Sequence, residues 1–170
     1  MAATFQDAAI FDQPIGNWNV SNVTNMSTMF WGCSKFNQSL DTWNTIKVTS
    51  LSYTFYNCKL YNQPMNNWNT SAVTVLSSTF RGCSVFNQDI SSWDVSKVID
   101  MSSTFNSCTI FNKNLSVWNT ISVTTMSAMF QGASAFNQPV NTWNTSNVTN
   151  MQLTFAGTLA FDQPLDAWNV

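Results

Sequence analysis

Apolar side chains return along this chain every 25 residues, and the register never slips. An aromatic followed by Asn or Asp stands at Phe11, Phe36, Tyr61, Phe86, Phe111, Phe136 and Phe161. Tryptophan follows at Trp18, Trp43, Trp68, Trp93, Trp118, Trp143 and Trp168, and a second phenylalanine at Phe5, Phe30, Phe55, Phe80, Phe105, Phe130 and Phe155. Valine recurs from Val23 to Val148, each time with Met or Leu three residues on. Polar Asn, Ser, Thr and Gln fill most of the intervening positions. Chance does not set seven tryptophans in register, so the period identifies a stack of small coils that bury their apolar sides only against one another. The aromatic and β-branched run Trp-Asn-Thr/Val-x-x-Val-Thr predicts a short strand in each coil. The Met-Ser-x-Thr/Met-Phe-x-Gly stretch, apolar at intervals of three or four, predicts a short helical or 3-10 turn ended by Gly32, Gly82, Gly132 or Gly157. Pro14, Pro64, Pro139 and Pro164 share one repeat position and mark a corner.

The expected architecture is therefore a repeat solenoid of about seven 25-residue coils with short parallel strands and short helical turns. It is a single array over residues 1–170. Residues 1–10 form a partial repeat, then come 11–35, 36–60, 61–85, 86–110, 111–135 and 136–160, and 161–170 form a second partial repeat. The seven tryptophans are expected to make one buried file.

Composition narrows the function. The 170 residues include 22 Asn, 21 Ser and 20 Thr, only 6 Lys+Arg, 8 acids (all Asp) and no His, for a net charge of −2. Without His the usual Ser-His-Asp and Cys-His nucleophile systems and His-ligated metals are excluded. Six basic residues do not make a phosphate-tracking surface, so nucleic acid is not an expected partner. No apolar run reaches membrane-spanning length, so no membrane insertion is expected. Hydrophobic content of 44% with 24 aromatics argues for a large core and against disorder. No basic segment followed by an apolar stretch opens the chain, so it carries no recognisable signal peptide.

The repeat resembles the BspA-like leucine-rich repeats, in the 25-residue version found in mycoplasma surface lipoproteins, large DNA viruses and marine microbes. The family signature W-[DN]-V-S-x-V-T-x-M-S-x-M-F-x-G-A-x-x-F-N is matched directly by Trp18-Asn19-Val20-Ser21-Asn22-Val23-Thr24-Asn25-Met26-Ser27. This chain departs from it by carrying Asn at most acidic sites and Thr for Met at Thr4, Thr54, Thr79, Thr104 and Thr154. The resemblance implies a leucine-rich-repeat-like β-solenoid in a surface or secreted protein, with adhesion or ligand binding and no catalytic residues.

Candidate chemistry is sparse. Cys33, Cys58, Cys83 and Cys108 share a position with Ala133 and Thr158, which fits a small, packed, reduced side chain better than a disulfide set or a zinc site. The aspartates form no column and no calcium-loop pattern. Asparagine columns through Asn37 and through Asn19 are expected to bond backbone at the corners. The Asn-x-Ser/Thr sequons at Asn19, Asn22, Asn25, Asn37, Asn69, Asn114, Asn144 and Asn147 follow from the repeat consensus. No catalytic, cofactor or metal residues are assigned. Threonine supplies the candidate binding face, in the row Thr24, Thr49, Thr74, Thr124 and Thr149, interrupted by Ile99. Further columns are Thr45, Thr70, Thr120 and Thr145, and Thr54, Thr79, Thr104 and Thr154. At strand spacing each column is a regular row of hydroxyls and methyls; Thr equally suits strands and inward positions.

Two function classes follow, neither enzymatic. One is an extracellular or surface recognition module of adhesin type that presents a polar and aromatic face to a protein or glycan. The other is an ice-binding (antifreeze) solenoid built on flat Thr ladders. Lys47 and Lys97 beside the Thr24 row count against ice, whereas Trp31, Tyr53, Tyr56 and Arg81 favour a macromolecular partner. The expected location is extracellular or on a cell or virion surface, as a segment of a longer protein. Neither end carries a polar cap, so end-to-end self-association through the terminal repeats is expected.

Overall fold

In the computed structural model, which describes residues 1–169, each coil is held to the next by parallel backbone pairing at an offset of 25 residues. Asn25, Ser50, Val75, Asp100, Thr125 and Asn150 form one continuous line of parallel bridges. Val170, the last residue of the partial repeat 161–170, lies outside the described residues.

The segment after the bridge divides its amides between two tasks. Met26, Thr28, Phe30 and Gly32 donate to the carbonyls of Ser50, Ser52, Thr54 and Tyr56 in the next coil, at 2.8–3.1 Å. Met29, Trp31 and Cys33 instead donate three residues back, to Met26, Thr28 and Phe30, at 3.0–3.2 Å. This alternation needs two left-handed residues per coil, Thr28 (φ 55°) and Gly32 (φ 74°) in this instance. Neither a helix nor an extended strand contains such residues. The expected helical or 3-10 turns are accordingly absent among the described residues, and each short parallel strand reduces to one bridged residue per coil.

The second left-handed position is Gly in four coils and Asp7, Asn57 or Ser107 in three others. Small polar residues tolerate this conformation at modest cost. At Gly32 an added Cβ would meet the Asp7 carboxylate at 2.7 Å, and at Gly82 it would collide with the Asn57 amide oxygen. Gly32 and Gly82 therefore serve close coil-to-coil approach as well as the turn.

Inside the stack, aromatic rings run in files. Trp43, Trp68, Trp93, Trp118 and Trp143 are 2–3% exposed, and neighbouring indoles along the file lie 6.2–6.3 Å apart where they stack, as in Trp43–Trp68 and Trp68–Trp93. Trp18, in the first coil, is 40% exposed and Trp168, in the last, is half-buried, so the expected buried file holds only for coils covered on both sides. Parallel files of Phe30–Phe55–Phe80–Phe105–Phe130 and Phe36–Tyr61–Phe86–Phe111–Phe136 fill the centre.

The repeated polar groups of the interior have a common purpose. Several turn carbonyls accept an amide from their own coil and a further bond from a side chain 28 residues on. The Leu40 carbonyl takes the Trp68 indole N–H at 2.9 Å, that of Phe30 takes the Cys58 thiol at 3.0 Å, and that of Leu51 takes the Thr79 hydroxyl at 3.0 Å. These buried carbonyls gain a bond beyond the amide of their own coil, which explains why Trp, Cys and Thr recur in columns. Thr158 replaces Cys in this role, donating to Phe130 at 2.8 Å. All four cysteines are free and buried.

Candidate recognition surface

The structure separates the threonine columns. Thr45, Thr70, Thr120 and Thr145 are 1–3% exposed, and their hydroxyls donate to the carbonyls of Asn69, Asp94, Asn144 and Asn169. Thr54, Thr79, Thr104 and Thr154 are 0–5% exposed and bonded to carbonyls of their own and the preceding coil. These eight are corrected from candidate binding residues to internal caps: each points into the stack, where its hydroxyl donates to a backbone carbonyl.

The Thr24 row does face outward. Thr24, Thr49, Thr124 and Thr149 are exposed, Thr74 is half-buried, and Ile99 stands 48% exposed among them. Its hydroxyls are not idle: Thr49, Thr74, Thr124 and Thr149 donate to the carbonyls of Thr24, Thr49, Ile99 and Thr124, at 3.0–3.2 Å. Two residues earlier, the Lys47 ammonium donates along the stack to the Asn22 amide oxygen at 2.7 Å.

The asparagine columns do bond backbone. The Asn37, Asn62, Asn87 and Asn112 amide oxygens accept from the backbone N–H of Asn62, Asn87, Asn112 and Asn137 at 2.9–3.0 Å. The Asn19 oxygen takes the Ser21 amide at 3.1 Å in a local turn. Asp89 and Asp94 are equally local: the Ser91 amide and hydroxyl hold the first, and the Ser96 hydroxyl and amide the second, below the ordinary carboxylate range. Among the described residues no three His, Cys, Asp or Glu side chains converge as metal ligands. Burial pushes the Cys33 thiol up to about 11, and holds the Cys58 and Cys108 thiols well above the ordinary thiol value. Such thiols are poor nucleophiles.

Among the columns that vary from coil to coil, one carries large side chains at successive positions. Gln6, Trp31, Tyr56, Arg81, Asn106, Gln131 and Ala156 are equivalent positions, yet no residue but Gln occurs twice. Their backbone is as regular as the rest: the Trp31 and Tyr56 carbonyls accept the Asp7 and Gly32 amides at 2.6 and 2.8 Å. Identical backbone places different side chains in line along the surface. The Trp31 and Tyr56 rings stack with centroids 4.3 Å apart, and Tyr53 from the neighbouring column joins at 5.2 Å from Trp31. The Arg81 guanidinium lies over Tyr56, 5.6 Å from the ring centroid. Further on, the Asn106 amide donates to Gln131 at 2.9 Å. All four of Trp31, Tyr53, Tyr56 and Arg81 are half-buried, covered by one another and standing outside the buried core. The periodic columns that drew attention to threonine could not reveal this cluster; the exceptions to the period could.

No curated protein matches the chain. The family described as Mycoplasma protein of unknown function, DUF285, matches residues 1–92 and again residues 74–170, in two stretches that together span the sequence. The chain belongs to this family of repeat-containing proteins.

Proposed function

We propose that this stack is a BspA-like, leucine-rich-repeat-like β-solenoid. In this reading it serves as a non-catalytic recognition or adhesion module on an extracellular, cell or virion surface. The observation that carries the proposal is the Trp31–Tyr53–Tyr56–Arg81 cluster, set on two neighbouring columns whose chemistry varies from coil to coil. Repeat scaffolds repeat what the backbone needs and vary what a partner reads. Trp, Tyr and Arg are also the residues that concentrate binding energy at interfaces. Aromatic rings with an adjacent guanidinium suit either a protein side-chain surface or the C–H face of a sugar.

The test is capture of immobilised glycans and extracellular proteins by the tagged chain, beside the combined variant W31A/Y53A/Y56A/R81A. Capture by the parent and its loss in the folded variant supports the reading. Equal capture by both sinks it.

The outward Thr24 row favours a second reading, ice binding. Against it stand Ile99 within the row, Lys47 and Lys97 beside it, and hydroxyl protons already given to backbone. Thermal hysteresis with faceted ice crystals, abolished by T49V/T124V, would establish this reading in place of the first.

A further inference from the structure

We infer that the cleft between coils 86–110 and 111–135 binds a small zwitterion, an α-amino acid or a dipeptide, with its carboxylate on Lys113 and its ammonium on Asp89. The site shares no residue with the Trp31 cluster and does not rest on the recognition reading. The first ground is an interruption of the coil-to-coil bonding. Gln38, Gln63, Gln88, Gln138 and Gln163 each donate a side-chain amide to the Asn or Asp oxygen of the coil before, at 2.9–3.2 Å. Lys113 takes that position in its own coil and leaves the Asn87 oxygen with the Asn112 amide alone. Four residues on, the same corner repeats the exception. Thr42, Ser92 and Thr142 donate a hydroxyl to a carbonyl of the preceding coil at 2.7–3.0 Å, and Asn67 and Ala167 donate a backbone amide to a side chain there. Val117 does neither and stands 71% exposed. Two bonds made at every other described junction are missing together at this one. An open cleft of ≈ 410 Å³ lies there, lined by Asp89, Ser91, Lys113, Asn114 and Val117.

The second ground is the chemistry of the lining. Asp89 comes from one coil and Lys113 from the next, so the cleft offers an anion and a cation on adjoining coils. The Ser91 amide donates to one Asp89 oxygen at 2.9 Å and fixes the carboxylate. Asp89 lies below the ordinary carboxylate range, chiefly through Ser91 and in smaller part through the charge of Lys113, so it is ionised at neutral pH. Lys113 is half-buried, and its ammonium donates to no group among the described residues. Asn114 accepts the Ser116 amide at 2.8 Å, which occupies its oxygen and leaves its amide nitrogen as a donor. A ligand carboxylate therefore accepts from Lys113 and Asn114. A ligand ammonium donates to Asp89 and to the Ser91 carbonyl, which holds no other bond among the described residues. A simple anion meets Asp89 and a simple cation meets Lys113, so the cleft disfavours each. Val117 supplies apolar contact for the ligand's carbon atoms. The volume falls at the lower end of the range of small-molecule sites, about 300–1,000 Å³.

L-Alanine and L-alanyl-L-alanine are the probes. The controls are N-acetyl-L-alanyl-L-alanine, which lacks the ammonium, and L-alanyl-L-alaninamide, which lacks the carboxylate. Nuclear magnetic resonance titration of the full chain should show saturable shifts of the Lys113, Asn114 and Val117 backbone amides with at least one zwitterion. Each control should bind about tenfold more weakly or worse. D89N and K113Q should each weaken zwitterion binding by about tenfold or more. V117T should weaken it too, because a hydroxyl there reaches the Ser91 carbonyl as that of Thr142 reaches the Ser116 carbonyl. K113Q and V117T install residues that other coils carry at these positions, so a melting temperature at or above the parent's shows that the site was lost and not the fold. K97Q, outside the cleft, should change nothing. The alanine and dipeptide arms decide the length of the ligand. No saturable shift with either zwitterion, equal affinity for a blocked peptide, or binding that survives both D89N and K113Q overturns the inference.

Discussion

Trp93 and Trp31 are the same residue in adjoining parts of one stack, and they do different things. Trp93 is 3% exposed, stacks on Trp68 at 6.3 Å, and gives its indole N–H to the Met65 carbonyl at 3.0 Å. Trp31 is half-buried, stacks on surface tyrosines, and repeats at no equivalent position. Thr79 and Thr74 repeat the contrast: both donate to carbonyls, but Thr79 is fully buried and caps two of them, whereas Thr74 lies in the outward row. Residue type alone therefore does not separate scaffold from surface here. The useful distinction is whether a side chain completes a backbone group that the next coil has buried.

The widest test of that distinction is alkaline pH, which acts on four interior thiols together. Burial raises the Cys33 thiol from 9.0 to about 11 and raises Cys58 and Cys108 well above 9.0, so the folded chain keeps protons that the unfolded chain releases. Stability from these groups is complete below pH 9 and is lost as pH rises through their folded values. With no His in the chain, the melting temperature should be nearly flat from about pH 6 to 8 and fall steeply above about pH 9. A melt that is indifferent to alkali would contradict thiol burial.

Next in size, Trp93→Ala should cost about 3–5 kcal/mol in denaturant unfolding, the range for a buried large aromatic. Trp31→Ala should cost within about 1 kcal/mol, the value of its surface stacking. Equal costs would erase the difference between the two regions. The threonine pair is a finer version of the same experiment. Thr79→Val removes a buried hydroxyl that bonds the Leu51 and Leu76 carbonyls and should cost about 1–2 kcal/mol, while Thr74→Val should stay within about 0.5 kcal/mol.

The smallest effect has the opposite sign. Tyr61 occupies a column that is otherwise Phe, fully buried, and its hydroxyl has no hydrogen-bond partner. Burial also drives its phenol well above the ordinary value. Tyr61→Phe should raise stability by about 1 kcal/mol, because it removes a desolvated polar group and keeps the ring. A loss of stability on this change would mean that the hydroxyl has found a partner.

Much of the scaffold was legible in the residue order because a strict period leaves little freedom: columns that recur every 25 residues must stack, and large apolar columns must stack inward. The Asn37 column was likewise readable as a corner that bonds backbone, since a short amide beside a turn reaches little else. The local conformation was not readable. Thr28, Tyr53, Ser78 and Leu153 all hold left-handed backbone, with φ between 55° and 60°, and none is a residue that prefers it. That choice is made by the neighbouring coil, whose carbonyls take the Thr28 and Phe30 amides only in this geometry. The directions of the threonines were hidden for the same reason: Thr49 and Thr54 are five residues apart with one periodicity, and only the turn between them sends one out and the other in. Sequence period specifies which residues lie above one another; coil-to-coil hydrogen bonding decides which way each of them points.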